Sequence, residues 1–269
     1  MRQVGEPDVS EERVSEEGVS EDGVSEAGLV RADFHSHTSY SRDGLTSPRE
    51  LVERAAAAGL DRIAVTDHGE IEGALEAHAL DPRRVIVGEE VTTRSGIDVL
   101  GLFLTERVPQ DLALEEVVER IRGQGGVIIA PHPCAYPLRG TAKAAAVLAV
   151  ADAVEIDNAR ARFVPAWNAR AARAAAAHGL PTVAGSDAHL PFEIGRAATL
   201  LPAFADAVSL RAALRAAQVV RGERAGHGRM SDVLVSVASV AGGLALTAAR
   251  WGSRRAPGRL EPVRKAAPG

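Results

Sequence analysis

Residues 29–37 read LVRADFHSH, a short apolar run that ends in two histidines. Histidines at positions i and i+2 of an extended segment project to the same side, so the imidazoles of His35 and His37 can both reach one metal ion. Alone, such a pair is weak evidence. Here, however, the turn SRDG at 41–44 adds a carboxylate, Asp43. The stretch therefore predicts a strand whose carboxyl end carries metal ligands.

Four further apolar runs also end in side chains that bind metals. The last of them repeats the i, i+2 spacing, with Asp187 followed by His189. One such motif is weak evidence, but five of them at predicted strand ends point to a shared site. The four motifs are TDH at 66–68, GEEVTT at 88–93, APHP at 130–133 and GSDAH at 185–189.

The middle three motifs each have an expected ligand. In TDH, His68 is the expected ligand, and Asp67 is expected to orient the ligands without binding the metal itself. Glu89 and Glu90 are adjacent, so only one of them can point inward from a strand. There it would bridge two cations about 3.5–4 Å apart. Prolines on both sides stiffen the loop that presents His132.

The spacing of apolar residues predicts an α/β fold. Strands alternating with helices indicate a largely parallel sheet with crossover helices, and seven or eight such units indicate a closed or nearly closed barrel. Parallel barrels carry their chemistry at the carboxyl ends of the strands, where all five motifs fall. The predicted helices include 48–58, 111–122 and 165–178, and the first has Ser47 as N-cap and Pro48 at its first position. The predicted strands are 29–34, 61–66, 84–88, 97–104, 126–130, 152–156 and 181–185.

The chain is predicted to have three parts: an acidic repeat tail at 1–28, the barrel at 29–228, and a C-terminal helix with a basic flexible tail at 229–269. Residues 9–28 repeat a VSEEG-like pentapeptide four times and lack the large apolar residues of a core, which is typical of disorder. The tail holds nine of the 36 acidic residues. The remainder is therefore near neutral, and we expect no strong nucleic-acid-binding surface.

The location of the protein is expected to be cytoplasmic. The single cysteine, Cys134, rules out an internal disulfide and suits a reducing compartment. The start of the sequence lacks the pattern of a secretory signal. The charge-free stretch at 233–249 is at the short limit for a membrane span, so a helix packed on the barrel or on a partner is favoured over membrane association.

The motifs together resemble those of the PHP family, named for polymerase and histidinol phosphatase. The resemblance covers roughly residues 30–200, in the family's motif order. It implies a distorted seven-stranded (β/α) barrel that holds two or three divalent ions, Mn, Zn or Fe with Mg as a further option, and that hydrolyses phosphoesters. The matching pieces are HSH at 35–37, SRDG at 41–44, TDH at 66–68, GEEVTT at 88–93, HP at 132–133 and SDAH at 186–189.

The resemblance also implies a set of metal ligands. Glu90 would bridge two ions, one of them shared with His132. A third ion would lie between Asp43, His68 and His189, and the same three residues are the candidates for protonating the leaving group. Asp98 stands where many members carry a histidine and is left out of the set. The implied ligands are His35, His37, Asp43, His68, Glu90, His132, Asp187 and His189.

The predicted reaction is hydrolysis of a small phosphomonoester, such as a nucleotide or the end of an oligonucleotide. Bridging cations lower the pKa of bound water and neutralise phosphate oxygens, so no covalent nucleophile is required. A lack of aromatic residues near the motifs is taken to argue against a long base-stacking channel. The candidate phosphate-binding residues, all in loops after strands, are Arg139, Arg160, Arg162 and Arg196.

Three alternatives stay open. The chain could be a phosphatase of the histidinol-phosphate type, or a regulatory module that holds metals without turnover. It could also be an amidohydrolase-type barrel that acts on C–N bonds. That last class typically uses a lysine at a strand end to bridge two ions. The only lysine of the barrel region, Lys143, lies in a predicted helical stretch.

Overall fold

The computed structural model describes residues 28–135 and 140–221. The predictions for the acidic repeat, for Arg139 and for the apolar stretch at 233–249 fall outside these residues. Within the described ranges, no helix has both the length and the apolar character that a membrane span requires.

One nine-stranded sheet curls into a nearly closed barrel, in the order β7-β6-β5-β4-β3-β2-β1-β8-β9. All seven predicted strands are present. The count of seven is not confirmed, because β8 and β9 extend the sheet beyond β1. The strands are β1 Leu29–Asp33, β2 Arg62–Val65, β3 Val85–Thr92, β4 Asp98–Leu102, β5 Val127–Ala130, β6 Ala153–Asn158, β7 Thr182–Gly185, β8 Ala197–Pro202 and β9 Gln218–Arg221.

The prediction of a largely parallel sheet is wrong. Strands β1 to β3 are mutually parallel, as are β5 to β7, but β4 is antiparallel to both of its neighbours. The connection from Thr92 to Asp98 explains this, because it is far too short for the crossover that a parallel pair needs. β8 is also antiparallel, both to β1 and to β9. The sheet therefore contains two parallel three-stranded units joined through β4, and the antiparallel strands β8 and β9 extend it beyond β1.

Helices follow most of the parallel strands. α1 begins as predicted, with the side chain of Ser47 accepting a hydrogen bond from the backbone N–H of Glu50. α3 begins later than predicted, because Asp111 has a φ of 63°, which a helix cannot contain. Short 3₁₀ turns cover Arg160–Phe163, Pro191–Glu193 and Leu214–Ala216. The helices are α1 Pro48–Ala57, α2 Glu72–Leu80, α3 Leu114–Gly123, α4 Gly140–Leu148, α5 Pro165–His178 and α6 Ala207–Ala213.

Apolar side chains of the strands alternate between two buried clusters. Ile63 and Val65 pack in the cluster that also contains residues of α1 to α5, whereas Ala64 and Ile86 belong to the cluster that contains Leu210 of α6. Successive side chains of a strand point to opposite faces, which fills both the barrel and the layer beneath the helices. The carboxyl ends of the strands carry the polar residues instead.

The barrel closes where the segment after β7, an edge strand of the sheet, pairs with the segment after β1. The backbone N–H of Asp187 donates to the carbonyl of His35 at 2.8 Å, and that of His37 donates to the carbonyl of Ala188 at 2.8 Å. The segments that close the barrel are thus the same ones that carry the first and last motifs.

Candidate metal centre

The structure brings all eight predicted ligands together at the carboxyl end of the barrel. Five imidazoles and three carboxylates meet there, although they come from loops or strands far apart in sequence. Three subsets have donor atoms that all lie within 4.8 Å of one another, the spacing expected around bound ions. These subsets are His35, His37 and Asp187; His35, Glu90 and His132; and His37, His68 and His189.

The deep side of the centre is built around Glu90. Its Oε2 lies 3.2 Å from Nε2 of His35, and its Oε1 lies 3.3 Å from Nε2 of His132. Nε2 of His37 lies 3.1 Å from Nε2 of His35 and 3.3 Å from Oδ1 of Asp187. The two oxygens of Glu90 therefore face two different groups of donors.

The outer side is formed by Asp43, His68 and His189. Oδ2 of Asp43 lies 3.4 Å from Nε2 of His189 and 3.7 Å from Nε2 of His68. The side chains of Asp43 and His68 are 15% and 17% exposed, whereas Glu90 is 1% exposed. Nδ1 of His68 also lies 3.2 Å from Glu90, which links the two sides.

Strand β3 is longer than predicted, and this places Glu90. The sequence suggested a strand ending at residue 88, but pairing with β4 continues as far as Thr92. Alternation along the strand then turns Glu90 into the centre and Glu89 to the opposite face. There Glu89 accepts a hydrogen bond from the backbone N–H of Val108 at 2.8 Å, and burial raises its pKa to about 7.

Two ligands have unusual backbone conformations. Asp187 has a φ of 51° and His132 a φ of 27°, both in the left-handed region that non-glycine residues rarely occupy. Aspartate tolerates this region better than most residues. His132 is fixed by the prolines on either side and by a hydrogen bond from its backbone N–H to Glu155. Backbone strain of this kind is common at functional sites.

The charges of the centre favour ionised carboxylates. Burial alone would raise the pKa of Glu90, but the neighbouring His68 and His35 hold it well below the usual range. The same balance, with His35 as the strongest partner, lowers the pKa of Asp187. Burial and the nearby His189 lower the pKa of His37 to about 3, so this imidazole is neutral at physiological pH. At His35, His132 and His189, by contrast, the neighbouring carboxylates outweigh burial and raise the pKa, so these imidazoles release a proton when a metal ion binds.

These residues fit divalent cations. Oδ1 of Asp43 is buried and has no hydrogen-bond donor among the described residues, which costs free energy unless a cation satisfies it. Mixed imidazole and carboxylate donors suit Zn, Mn and Fe, and the carboxylates also suit Mg.

A second layer of polar residues supports the ligands, and the sequence analysis identified only Asp67 within it. Asp67 accepts hydrogen bonds from the backbone N–H and hydroxyl of Thr38, both at 2.6 Å, and so anchors the loop after His37. Asp33 accepts from the backbone N–H groups of His35 and Ser186, and burial raises its pKa to about 6.

Glu155 and Asn158 are the remaining members of this layer. Nδ2 of Asn158 donates to Oδ2 of Asp187 at 3.2 Å and to Oε2 of Glu155 at 3.0 Å. Both residues lie on β6, in the sequence AVEIDN. A glutamate flanked by apolar residues in a buried strand was the available signal, but no motif marked it.

The four candidate arginines have different surroundings. Arg160 lies close enough to the centre for its charge to lower the pKa of both Asp187 and His189. Arg162 is bound to both carboxylate oxygens of Asp157, at 3.0 and 2.6 Å, which commits it to a structural role. The guanidinium of Arg196 lies 5.4 Å from the ring centroid of Phe192. Arg139 is outside the described residues.

Two residues weighed earlier lie outside the ligand groups. Asp98 accepts a hydrogen bond from the hydroxyl of Thr92 at 2.9 Å and belongs to none of the three donor subsets. Lys143 lies in α4 and donates to the carbonyl of Ser95 at 2.6 Å. It is therefore not placed at a strand end, as the amidohydrolase alternative would require.

Exposed aromatic side chains cluster at the same end of the barrel. Among the described residues, the exposed aromatics are Tyr40, Phe163 and Phe192, in the loops after β1, β6 and β7. Phe192 is 52% exposed and comes three residues after His189. Leu45, also exposed, donates its backbone N–H to the carbonyl of His189. Contrary to the prediction, aromatic residues therefore do lie near the motifs, and with Leu45 they form an exposed apolar rim.

Comparisons with known proteins agree with this geometry. The PHP domain model matches residues 33–158, and a PHP-associated model matches residues 165–219. An uncharacterized protein of Methanocaldococcus jannaschii is 38% identical over 117 residues, which cover 39% of this chain and 68% of the relative. A 5′-3′ exoribonuclease of Haemophilus influenzae is 35% identical over 103 residues, which cover 36% of this chain and 37% of that enzyme.

A similar fold is found in a solved structure from Bacteroides vulgatus, described as a two-domain protein containing a predicted PHP-like metal-dependent phosphoesterase. The match has a TM-score of 0.59 and 21% sequence identity, and it covers 79% of this chain and 70% of that one. At this level of identity, the comparison shows a shared fold.

Proposed function

The chain belongs to the PHP family, and from that premise we propose that it hydrolyses a phosphoester with divalent metal ions held by its eight ligands. The observation that carries the proposal is the convergence of five imidazoles and three carboxylates at one end of the barrel. Chance clusters of acidic groups are common at surfaces, but buried imidazoles facing buried carboxylates are costly without a cation. When bound, the ions would activate water and neutralise phosphate oxygens.

The surrounding residues would bind the phosphate and supply protons. The charge of Arg160 helps to lower the pKa of Asp187, so Arg160 lies near the proposed ligands. It is therefore our candidate for binding a phosphate oxygen. On the outer side, Asp43, His68 and His189 are the candidates for protonating the leaving group. Cys134 is not a candidate nucleophile, because burial raises the pKa of its thiol and disfavours the thiolate.

A nucleotide or the end of an oligonucleotide is the substrate that we favour. Phe192 and Arg196 form a stacked pair three residues beyond His189, and bases stack on aromatic rings and guanidinium planes. The similarity to a 5′-3′ exoribonuclease supports the same class, although this chain covers only 37% of that enzyme.

Two other functions, a histidinol-phosphate-type phosphatase and a non-catalytic metal-binding module, compete with the nucleotide-directed phosphoesterase. A phosphatase of the histidinol-phosphate type would use the same centre without needing the aromatic rim. A non-catalytic metal-binding module would keep the ions and show no turnover. The complete set of eight ligands favours an enzyme, since a module without turnover is under no requirement to keep them all.

Phosphate release from a panel of esters tests the proposal. The purified protein is loaded separately with Mn, Zn, Fe and Mg, and is assayed with nucleoside monophosphates, nucleoside bisphosphates, short oligonucleotides, histidinol phosphate and glycerol phosphate. A variant with both His35→Ala and His37→Ala controls for contaminating phosphatases. We expect release from nucleotide substrates. Hydrolysis of an oligonucleotide releases mononucleotides rather than inorganic phosphate, so mononucleotides are measured for those substrates. No phosphate from any monoester and no mononucleotide from the oligonucleotides, with metal-loaded protein, would refute the proposed activity.

Replacing Phe192 tests the preference for bases. Stacking is worth about 1–3 kcal/mol per base, so Phe192→Ala should raise KM for a nucleotide by roughly 5- to 100-fold. KM for glycerol phosphate should not change. Leu80→Ala is the matched control, because Leu80 is also exposed but ends α2 at the opposite end of the barrel. Equal effects of Phe192→Ala on both esters would count against base stacking.

A further inference from the structure

Glu155 is the most highly connected side chain behind the ligands. It is 1% exposed, and its Oε1 lies 3.1 Å from Nδ1 of His35. Its Oε2 accepts two hydrogen bonds, from the backbone N–H of His132 at 2.8 Å and from Nδ2 of Asn158 at 3.0 Å. One carboxylate thus touches two ligands directly and reaches Asp187 through Asn158.

We infer that Glu155 is a positioning residue that keeps the proton of His35 on Nδ1 and leaves the Nε2 lone pair facing the metal centre. A carboxylate can only accept hydrogen bonds, so Nδ1 of His35 must be the donor in this pair. In the neutral ring that a metal ion requires, Nε2 is then the unprotonated nitrogen, and it is the one that lies 3.2 Å from Glu90 and 3.1 Å from His37. The inference rests on the metal centre of the proposed function, and on no particular substrate.

Gly185 provides the space for this contact. A Cβ at position 185 would lie 2.2 Å from Oε1 of Glu155 and 2.5 Å from Cβ of His35. The backbone of Gly185 does not have the positive φ that would by itself require glycine. Its lack of a side chain is therefore needed because β7 passes close to the pair formed by Glu155 and His35.

The amide in Glu155→Gln would disturb the pair in a defined way. Oε2 faces two N–H donors, so an NH₂ group placed there would leave both of them without an acceptor. The favoured orientation keeps the oxygen at that position and turns the NH₂ toward His35. Nδ1 must then accept a hydrogen bond, which moves the imidazole proton to Nε2 and removes the lone pair from the metal centre.

Titration of the metal-free protein with zinc chloride and with manganese chloride, followed by calorimetry, measures the effect. Loss of a carboxylate behind a histidine ligand typically weakens metal affinity about 10- to 100-fold, and we expect this for Glu155→Gln. Gly185→Ala should weaken binding in the same direction, because the added Cβ displaces Oε1. Calorimetry measures metal affinity and not hydrolysis. If the ester panel shows no hydrolysis, the proposed activity is refuted, but the inference about Glu155 is still tested by the affinities.

Asp157→Asn is the matched control. Asp157 lies on the same strand and is similarly buried, but its carboxylate binds Arg162 and Asn168. We expect it to lower the midpoint of thermal unfolding and to leave the dissociation constants for both metals unchanged. If Glu155→Gln lowers stability like Asp157→Asn and binds both metals as the wild type does, Glu155 is a structural residue and the inference is wrong.

Nitrogen-15 NMR of the wild-type protein tests the same inference without any variant. With zinc bound, the ring of His35 should show the signals of the tautomer protonated on Nδ1. Assignment comes from correlating ring and backbone nuclei. A proton found on Nε2 of His35 would overturn the inference, even if the variants prove too unstable to study.

Discussion

The deep side of the metal centre (His35, Glu90 and His132) and its outer side (Asp43, His68 and His189) are supported differently. The deep ligands are at most 7% exposed and have Glu155 packed directly behind them. The outer ligands include two partly exposed side chains and are held mainly through backbone hydrogen bonds. The difference suggests that the deep side retains ions, and that the outer side is where substrate and solvent enter.

Backbone support on the outer side is clear at two positions. The N–H of His68 donates to the hydroxyl of Ser41 at 2.8 Å, and the N–H of His189 donates to the carboxylate of Glu193 at 2.9 Å. These bonds position the backbones of the two residues. The ring of His189 is held by a backbone group as well, since its Nδ1 donates to the carbonyl of Asp187 at 2.9 Å and leaves Nε2 facing Asp43.

The largest expected effect comes from Glu90→Gln, because Glu90 faces both groups of donors. The change removes the bridging charge from the deep side, and we expect loss of bound metal together with a fall in turnover on the order of 10³-fold. Metal content by elemental analysis and phosphate release are measured on the same sample. If activity and metal content survive, the deep side is not where the ions are held.

Glu89→Gln is the control for this change. Both glutamates are buried and adjacent on β3, but Glu89 faces away from the centre and burial raises its pKa to about 7. The neutral form is therefore already well populated at neutral pH, and an amide is a close substitute for it. We expect wild-type metal content and turnover.

The second prediction concerns the outer side. If His189 transfers a proton to the leaving group, His189→Asn should lower turnover by about 10²-fold while most of the metal is retained. Asparagine keeps a polar group but cannot shuttle protons. Full metal occupancy with unchanged turnover would exclude a catalytic role for His189. Complete loss of metal would contradict the view that the deep side retains the ions without the outer side.

The third prediction concerns the phosphate. A charge-assisted hydrogen bond contributes about 1.5–3 kcal/mol, so Arg160→Met should raise KM by roughly 10- to 100-fold without changing metal content. Arg162→Met is the comparison, since its guanidinium is already bound to Asp157. It should lower the free energy of unfolding and leave KM unchanged. If Arg162→Met raises KM and Arg160→Met does not, Arg162 rather than Arg160 binds the phosphate.

Much of the centre could be predicted because its ligands lie in short motifs at strand ends. His35, His37, Asp187 and His189 are close in sequence to the strands that position them, so period-2 spacing was enough to group them. Strand β4 could not be predicted as antiparallel from its own residues, because direction depends on the length of the loop before it. Strands β8 and β9 carry no motif and were missed.

The supporting layer was harder to predict, for a physical reason. Glu155 contacts His35, 120 positions away, and His132, 23 positions away. No residue next to Glu155 in the sequence indicates either contact. Gly185 was visible in the motif GSDAH, yet its role appears only when the neighbouring strand is in place. Similarly, the grouping of exposed aromatics on one end of the barrel depends on the fold and not on local sequence.

The smallest expected effect is that of Ser47→Ala, which tests whether the outer side depends on the helix beside it. Ser47 caps α1 four residues after Asp43, and losing such a cap costs about 1 kcal/mol of unfolding free energy. The loop has bonds of its own: the N–H of Ser39 donates to the carbonyl of Thr46, and that of Leu45 to His189. We therefore expect urea unfolding to show the loss of stability while zinc affinity and turnover stay at wild-type values. Weaker zinc binding would mean that the outer side is positioned by α1 rather than by its own loop.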